Sequence, residues 1–183
     1  SALCYTSPDG VVWTSHAMPS NTTWSGVGIG DNGTFLIFHN SGCARSTDGG
    51  VTWDAAGTFA GTTNASSAAY GNGVWVATLN ALSTQVRVSL DDGLTWGLSN
   101  NLQGSSNTWG RVRFVGGIFY VTDVGGLLCY KSTDGMNWTL ANPLINMTNF
   151  GNDWDFDVYT SYHYVAAGNA GSNTSVVNSG VCG

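Results

Sequence analysis

One motif occurs four times along this chain of 183 residues, and its spacing constrains the fold more than any other feature. Each copy is a short polar run that starts with Ser-x-Asp, continues through Gly and ends on Trp. The copies run from Ser7 to Trp13, from Ser46 to Trp53, from Ser89 to Trp96 and from Ser132 to Trp138. Their serines lie 39, 43 and 43 residues apart, which is the period of a four-stranded propeller blade.

The residue types of the motif predict a tight turn between two β-strands. Asp and Ser side chains hydrogen-bond nearby backbone N–H groups, and Gly adopts the positive φ that such turns require. The Trp then begins the return strand and buries a large apolar surface. We therefore assign structural roles to four residues of each copy: Ser7, Asp9, Gly10 and Trp13; Ser46, Asp48, Gly50 and Trp53; Ser89, Asp91, Gly93 and Trp96; Ser132, Asp134, Gly135 and Trp138.

These runs resemble the Asp-box, or BNR, repeats of sialidases, sortilin-type receptor domains and many secreted or viral β-propellers. The copies at Ser46 and Ser89 match S-x-D-x-G-x-T-W in full, whereas those at Ser7 and Ser132 are one residue shorter. The resemblance implies a β-propeller whose ligands bind on the face opposite the box turns. Because such boxes occur in proteins of many activities, the resemblance implies no particular reaction.

Length and composition favour a single all-β domain. The chain is 42% hydrophobic and 9% charged with 26 Gly, a profile typical of β-rich secreted or virion proteins. No stretch repeats apolar residues at helical spacing, so we expect essentially no helix. We predict one domain over residues 1–183, a small propeller with blades at approximately 24–56, 65–100, 109–141 and 152–183.

The two ends of the chain are predicted to share a blade. The first box has no inner strands before it, and the segment after Val165 has no box of its own. We therefore expect residues 1–14 to complete the fourth blade, with Leu3 to Trp13 outside and Asp155 to Ala167 inside. A five-bladed ring with an irregular blade, and two chains that complete a larger ring, are the alternatives.

The cysteines support this alignment. Cys4, Cys43 and Cys129 each precede a box serine by three residues, which predicts a small buried strand position. Gly180 to Cys182 resembles the approach to the other boxes and would arrive beside the N-terminal strand. We therefore expect a Cys4–Cys182 disulfide, with free thiols at Cys43 and Cys129.

Candidate ligand residues lie on the face opposite the boxes. Trp24, Trp109 and Trp154 recur among polar residues, and an aromatic plane beside amide and carboxylate groups suits a sugar. The alternative is that each Trp fills the gap between neighbouring blades. Four further residues complete the candidate set: Asn40, Asp123, Arg111 and Asp153.

Charge and residue content exclude several functions. The net charge of −6 opposes nucleic-acid binding, and no apolar run is long enough to insert into a membrane. We expect no cofactor and no metal ion. The sialidase resemblance implies a tyrosine nucleophile activated by glutamate, but the chain contains no glutamate, so we expect no enzymatic activity.

The function that these observations favour is binding. We expect an extracellular or virion-surface module that recognises a carbohydrate, such as a glycan on a cell-surface receptor or host surface, in the manner of a lectin. The low charge and the Gly, Asn, Ser and Thr content also resemble those of phage appendage proteins. The alternative is a structural or decoration domain held by contacts with a neighbouring surface protein, and either role is compatible with a homo-oligomer.

Overall fold

The computed structural model describes residues 2–20, 22–39, 41–59, 65–79, 83–100, 102, 108–123 and 128–141, and the backbone strands at 155–160, 163–169 and 175–181. Within these ranges the chain is built of strands and turns alone. None of the described residues belongs to a helix long and apolar enough to span a membrane.

The strands form five antiparallel sheets in chain order. The N-terminal hairpin pairs β1 (Leu3–Thr6) with β2 (Thr14–Ala17). Three four-stranded sheets follow, which we call blades 1, 2 and 3, and a three-stranded sheet ends the series. Blade 1 contains β3 (Trp24–Ile29), β4 (Phe35–His39), β5 (Gly42–Ser46) and β6 (Asp54–Thr58). Blade 2 contains β7 (Ala65–Gly71), β8 (Val74–Leu79), β9 (Arg87–Ser89) and β10 (Gly97–Leu98). Blade 3 contains β11 (Trp109–Val115), β12 (Ile118–Asp123), β13 (Cys129–Ser132) and β14 (Thr139–Ala141). The last sheet contains β15 (Asp155–Thr160), β16 (His163–Asn169) and β17 (Ser175–Val181).

Equivalent strands of successive blades share one register. In each blade the box serine lies opposite the first or second residue of the second strand. The pairs are Phe35 with Ser46, Trp75 with Ser89 and Phe119 with Ser132. The first strand of each blade is irregular just after its start, at Trp24, Ala65 and Trp109, where extra residues interrupt the pairing. These three strands start at the residues with which the predicted blades 24–56, 65–100 and 109–141 begin.

Adjacent first strands are joined by serine hydroxyls rather than by a backbone ladder. The Ser25 Oγ donates to the carbonyl of Ala65 at 3.1 Å, and the Ser66 Oγ lies 3.0 Å from the carbonyl of Gly110. Side chains between the blades form two apolar clusters, one on either side of blade 2. This combination keeps each sheet separate while its neighbours pack face to face.

Glycine in the box turns allows the blades to approach closely. A Cβ built on Gly93 would stand 2.8 Å from Leu36 Cδ2 of the preceding blade, and one on Gly135 would stand 2.8 Å from Val76 Cγ2. Both glycines have positive φ, +86° and +71° respectively. The box turns of blades 2 and 3 therefore pack against the second strand of the blade before them.

The predicted sharing of a blade between the chain ends is wrong in its strand pairing. The β16 strand is paired on one edge by β15 and on the other by β17, which occupies the place predicted for Leu3 to Trp13. The N-terminal strands instead form a separate two-stranded sheet. The competing strand follows β16 directly in the chain, so its pairing closes a much shorter loop.

Cys4, Cys43 and Cys129 form no disulfide in the described structure, in agreement with the thiols predicted at Cys43 and Cys129. The expected disulfide from Cys4 is absent, because its thiol is free and lies 3.7 Å from the carbonyl of Gly50, and Cys182 lies outside the described residues. In the same manner, the Cys43 thiol lies 3.6 Å from the carbonyl of Gly93. The position therefore places a small side chain against the next box turn, where a thiol makes a weak hydrogen bond.

Candidate functional site

The four box turns share two hydrogen bonds, because in each turn the serine Oγ donates to the aspartate Oδ1 and accepts the N–H of a turn glycine. In the turn that starts at Ser46, the serine Oγ accepts the N–H of Gly50 at 2.9 Å and donates to Asp48 Oδ1 at 2.8 Å. The other Asp48 oxygen accepts the hydroxyl of Thr52 at 2.6 Å. The Trp53 Nε1 donates to the carbonyl of Gly50 at 2.8 Å and so ties the end of the turn to its middle. The predicted role of Ser and Asp in binding turn N–H groups is confirmed.

These bonds keep the box carboxylates ionised. The Thr52 hydroxyl, followed by backbone N–H groups, lowers the pKa of Asp48 to about 2. The Thr95 hydroxyl similarly lowers the pKa of Asp91. At Asp134 burial raises the pKa, but donors headed by the N–H of Asn137 outweigh it and bring the pKa to about 2. The turns therefore carry fixed negative charges that are already used as acceptors.

The same turns expose apolar side chains, which sequence reasoning missed. They are Val11, Val12 and Trp13 in the first turn, Val51 in the second, and Leu90 and Leu94 in the third. Val11 is 80% exposed and Leu90 is 68% exposed. The signal was available at the variable positions of the motif, where the hydrogen-bond pattern does not require an apolar residue.

An open groove lies between the outer edge of blade 2 and the box turn of blade 3. Its volume is about 230 Å³. Seven residues line it: Val88, Leu90, Asp91, Thr95, Gly97, Leu98 and Met136. All but Met136 belong to blade 2, from the strand before its box to the strand after it.

The two sides of this groove are fixed to each other. The N–H of Asn100 donates to the carbonyl of Met136 at 2.9 Å, and the Asn100 side-chain amide donates to Asn137 Oδ1 at 2.5 Å. Trp138 is buried in the cluster between the blades, with its Nε1 bonded to the carbonyl of Gly135 at 3.0 Å. The groove is therefore held open by a rigid junction.

Trp109, predicted to present a stacking plane, is instead a packed side chain. It is 1% exposed, and its Nε1 donates to the carbonyl of Ser83 at 2.9 Å. Its ring meets that of Tyr130 edge to face at 5.6 Å. This placement agrees with the alternative that the Trp fills the space between blades.

Trp24 is more accessible than Trp109. Its ring is half-buried and meets His39 edge to face at 5.3 Å. Its Nε1 is buried, and no described residue accepts a hydrogen bond from it. Burial also lowers the pKa of His39, which favours the neutral imidazole. Trp24 therefore stays a candidate ligand residue.

Two further candidate residues, Arg111 and Asp123, make hydrogen bonds within blades 2 and 3. Arg111 donates to the carbonyl of Ser66 at 3.2 Å. Asp123 is buried, and its carboxylate accepts the N–H of Leu128 at 2.9 Å. Asn40, Asp153 and Trp154 lie outside the described residues. Within the described ranges, no three His, Cys or Asp side chains are grouped as a metal site would require.

A carboxylate that sequence reasoning also missed joins blades 1 and 2. Asp92 receives four side-chain hydrogen bonds, from Asn32 Nδ2 at 2.8 Å, Thr34 Oγ1 at 2.6 Å, Arg45 Nη2 at 2.5 Å and Trp75 Nε1 at 3.0 Å. Burial raises its pKa, but these donors, led by Thr34 and then Arg45, outweigh it and lower the pKa to about 2. The geometry makes Asp92 a clamp between blades.

Comparisons with known proteins establish the fold. No protein family matches the chain, and no curated protein does. Among solved structures, YCF48 bound to D1 peptide is similar, with a TM-score of 0.61 and 18% identity over 95% of this chain and 56% of that chain. The GH74 enzyme of Niastella koreensis has a TM-score of 0.63 and 18% identity over 89% of this chain and 24% of its own. YCF48 from Cyanidioschyzon merolae has a TM-score of 0.59 and 13% identity, covering 87% and 57%.

The chain thus spans little more than half of the YCF48 chains and about a quarter of the GH74 enzyme. At these identities the similarity concerns the fold alone. The neighbours are β-propellers, and the described sheets repeat as propeller blades do, so this chain has a β-propeller fold.

Proposed function

We propose that this chain is a non-enzymatic binding module whose partner is a protein. The observation that carries the proposal is the series of exposed apolar side chains on the box turns, from Val11 in the first turn to Leu94 in the third. Exposed apolar side chains that lie together mark protein interaction sites, and Val11, Val12 and Trp13 are exposed at consecutive positions of the first turn. Rigid turns also present them at little entropic cost, because their backbones are held by side-chain hydrogen bonds.

The acidic groups support binding over catalysis. The box carboxylates at Asp48, Asp91 and Asp134 accept hydrogen bonds within their own turns, and Asp92 is neutralised by Arg45. A glycosidase of the usual two-carboxylate kind needs one raised pKa, whereas these are lowered. One structural neighbour, YCF48, was solved bound to a peptide, so the propeller fold is compatible with a protein partner.

A second candidate function is recognition of a carbohydrate or host surface on the opposite face. Trp24 favours it, because the half-buried indole lies beside His39 and its buried Nε1 has no described acceptor. A structural or decoration role would use protein contacts of the kind proposed above. For either function we propose an extracellular or virion-surface location, since only 9% of the residues are charged and the polar residues are mostly Ser, Thr and Asn.

Panning a random peptide display library on the immobilised chain, in parallel with a glycan array, tests the proposal. We expect recovered peptides to lose at least about tenfold in affinity, about 1.4 kcal/mol, for the Val51→Ser/Leu94→Ser variant. The control variant Leu3→Ser/Val27→Ser removes exposed apolar side chains from strands β1 and β3 and should bind normally. Recovery of no peptide, with glycan binding that Trp24→Ala abolishes, would overturn the proposal.

A further inference from the structure

We propose that the groove between blades 2 and 3 is an anchor site for an extended, cationic peptide segment, which inserts one large apolar side chain beside Asp91. This inference rests on the proposed function and adds to it the location and the chemistry of the partner. The seven lining residues given above are all contributed by the described residues of these two blades.

The size of the groove fits one side chain better than a small molecule. Pockets for drug-sized ligands occupy about 300–1,000 Å³, whereas this groove occupies about 230 Å³. Protein interfaces are commonly anchored by a single apolar side chain that fills such a pocket. An aliphatic or aromatic side chain of the partner is therefore the expected occupant.

The walls of the groove are apolar and partly adaptable. Val88 is buried beneath it, while Leu90 and Leu98 are exposed at its sides. Met136 closes the side contributed by blade 3, and the flexible thioether of methionine accommodates different shapes. Covering these side chains removes apolar surface from water, which supplies the driving force for docking.

The negative charge at the groove favours a positively charged partner. Asp91 lines the groove, and its carboxylate accepts Ser89 Oγ at 2.9 Å, the N–H of Thr95 at 2.8 Å and Thr95 Oγ1 at 2.6 Å. These bonds hold it ionised and immobile, and the chain as a whole carries a net charge of −6. A Lys or Arg next to the anchoring side chain is attracted to this field, whereas an acidic peptide is repelled.

The backbone beside the groove is accessible to an extended segment. The β10 strand contains only Gly97 and Leu98 and is the terminal strand of its sheet, so one edge has no strand partner among the described residues. A Cβ built on Gly97 would meet only the carbonyl of Val88, at 4.0 Å, so the space above this glycine is open. An added strand could therefore pair along this edge while its side chain enters the groove.

A substitution that fills the groove provides the test. Gly97 lies opposite Val88 in a strand without positive φ, so Gly97→Val should fold normally and project its side chain into the groove. Thr139→Val is the matched control, because Thr139 lies opposite Lys131 at the equivalent place in blade 3. Circular dichroism and thermal unfolding should show both variants folded like the unmodified chain.

The probes are fluorescein-labelled hexapeptides with Leu, Phe or Ser at the centre, flanked by Lys, Ser or Glu. In fluorescence polarisation we expect the Leu and Phe peptides flanked by Lys to bind best, with affinity falling as NaCl rises from about 50 mM to about 500 mM. Gly97→Val should weaken this binding at least tenfold, and Thr139→Val should leave it unchanged.

Each contrary result has a distinct meaning. Equal binding of Lys-flanked and Glu-flanked peptides, or unchanged binding by Gly97→Val, overturns the inference while peptide binding itself, and so the proposed function, survives. Failure of every hexapeptide overturns the inference, and only the library panning described above then decides the proposed function. Self-association abolished by Gly97→Val also overturns it, because the occupant would be a second copy of the chain.

Discussion

The substitution Asp92→Asn should weaken the interaction between blades 1 and 2 and lower the free energy of unfolding, while leaving the backbone conformation unchanged. Asp92 has φ +61°, and Asn tolerates this left-handed conformation as Asp does, so the turn itself is preserved. The amide oxygen can still accept the hydrogen bonds from Asn32 and Trp75. The amide nitrogen, however, replaces the oxygen that binds Thr34 and Arg45, so that donors face a donor.

The loss in free energy of unfolding follows from the hydrogen bonds that are removed and from the pKa of Asp92. A hydrogen bond to a charged group contributes about 1.5–3 kcal/mol when it is shielded from water. The pKa of about 2, against an ordinary 3.8, corresponds to about 2.4 kcal/mol before screening by solvent is considered. Since the Asp92 side chain is 28% exposed, we discount this to about 1–2 kcal/mol. A loss of about 1–2 kcal/mol lowers the Tm of a domain of this size by about 2–8 °C.

Urea unfolding monitored by tryptophan fluorescence at neutral pH measures this loss, with Asp31→Asn as the control. Asp31 carries the same charge in an exposed turn, and its substitution should cost less than about 0.5 kcal/mol. Because the pKa of Asp92 is lower in the folded state, its contribution is complete above the unfolded pKa and is lost as pH falls. The gap between Asp92→Asn and the unmodified chain should therefore close between about pH 3.8 and about pH 2.

Two results would refute this reasoning. Equal urea midpoints for Asp92→Asn and Asp31→Asn at neutral pH would mean that the clamp contributes nothing. A gap that persists unchanged at low pH would mean that the effect comes from packing and not from the charge of Asp92.

Three further predictions concern packing. Gly93→Ala should cost about 2–4 kcal/mol, because left-handed strain adds to the clash with Leu36, whereas Gly10→Ala, with open space around it, should cost only about 1–2 kcal/mol; urea unfolding of both variants makes the comparison. Trp109→Ala should destabilise the chain by about 3–5 kcal/mol, read as a fall in Tm, since the side chain is core. Cys43 should resist iodoacetamide until the chain unfolds, because burial raises its pKa to about 11; peptide mapping after native and denatured labelling detects a failure.

Local chemistry made the blades predictable from sequence. Asp48 and Gly50 form their turn hydrogen bonds with residues no more than four positions away in the chain. The motif is therefore visible in the sequence, and its spacing of 43 residues sets the register of the blades. The strand starts at Trp24, Ala65 and Trp109 followed from that register. Structure that depends on near neighbours was therefore recovered.

Long-range structure was harder to predict. Both β17 and the N-terminal strand β1 have sequences suited to pair with β16, and the sequence pattern does not show which of them does so. The polar neighbours of Trp109 indicated exposure, but they precede the strand, whereas the indole itself packs between blades. Asp92 left a faint signal, since Asp fills the position that Gly49 occupies in the preceding box, and both have positive φ.

The packing of the box tryptophans between blades is directional, since a box Trp packs against the blade that precedes its own in the chain. Trp96 belongs to blade 2, yet its ring packs edge to face against Phe38 at 5.9 Å and Phe59 at 5.3 Å in the segment of blade 1. Trp13, in the N-terminal hairpin, is 58% exposed. Blade 1 therefore completes the burial of Trp96, and blade 2 completes that of Trp138 in the cluster between blades 2 and 3, so disruption of either blade should appear first as a red-shifted emission from the box Trp of the next blade. The emission of Trp96 thus reports on blade 1, and that of Trp138 on blade 2.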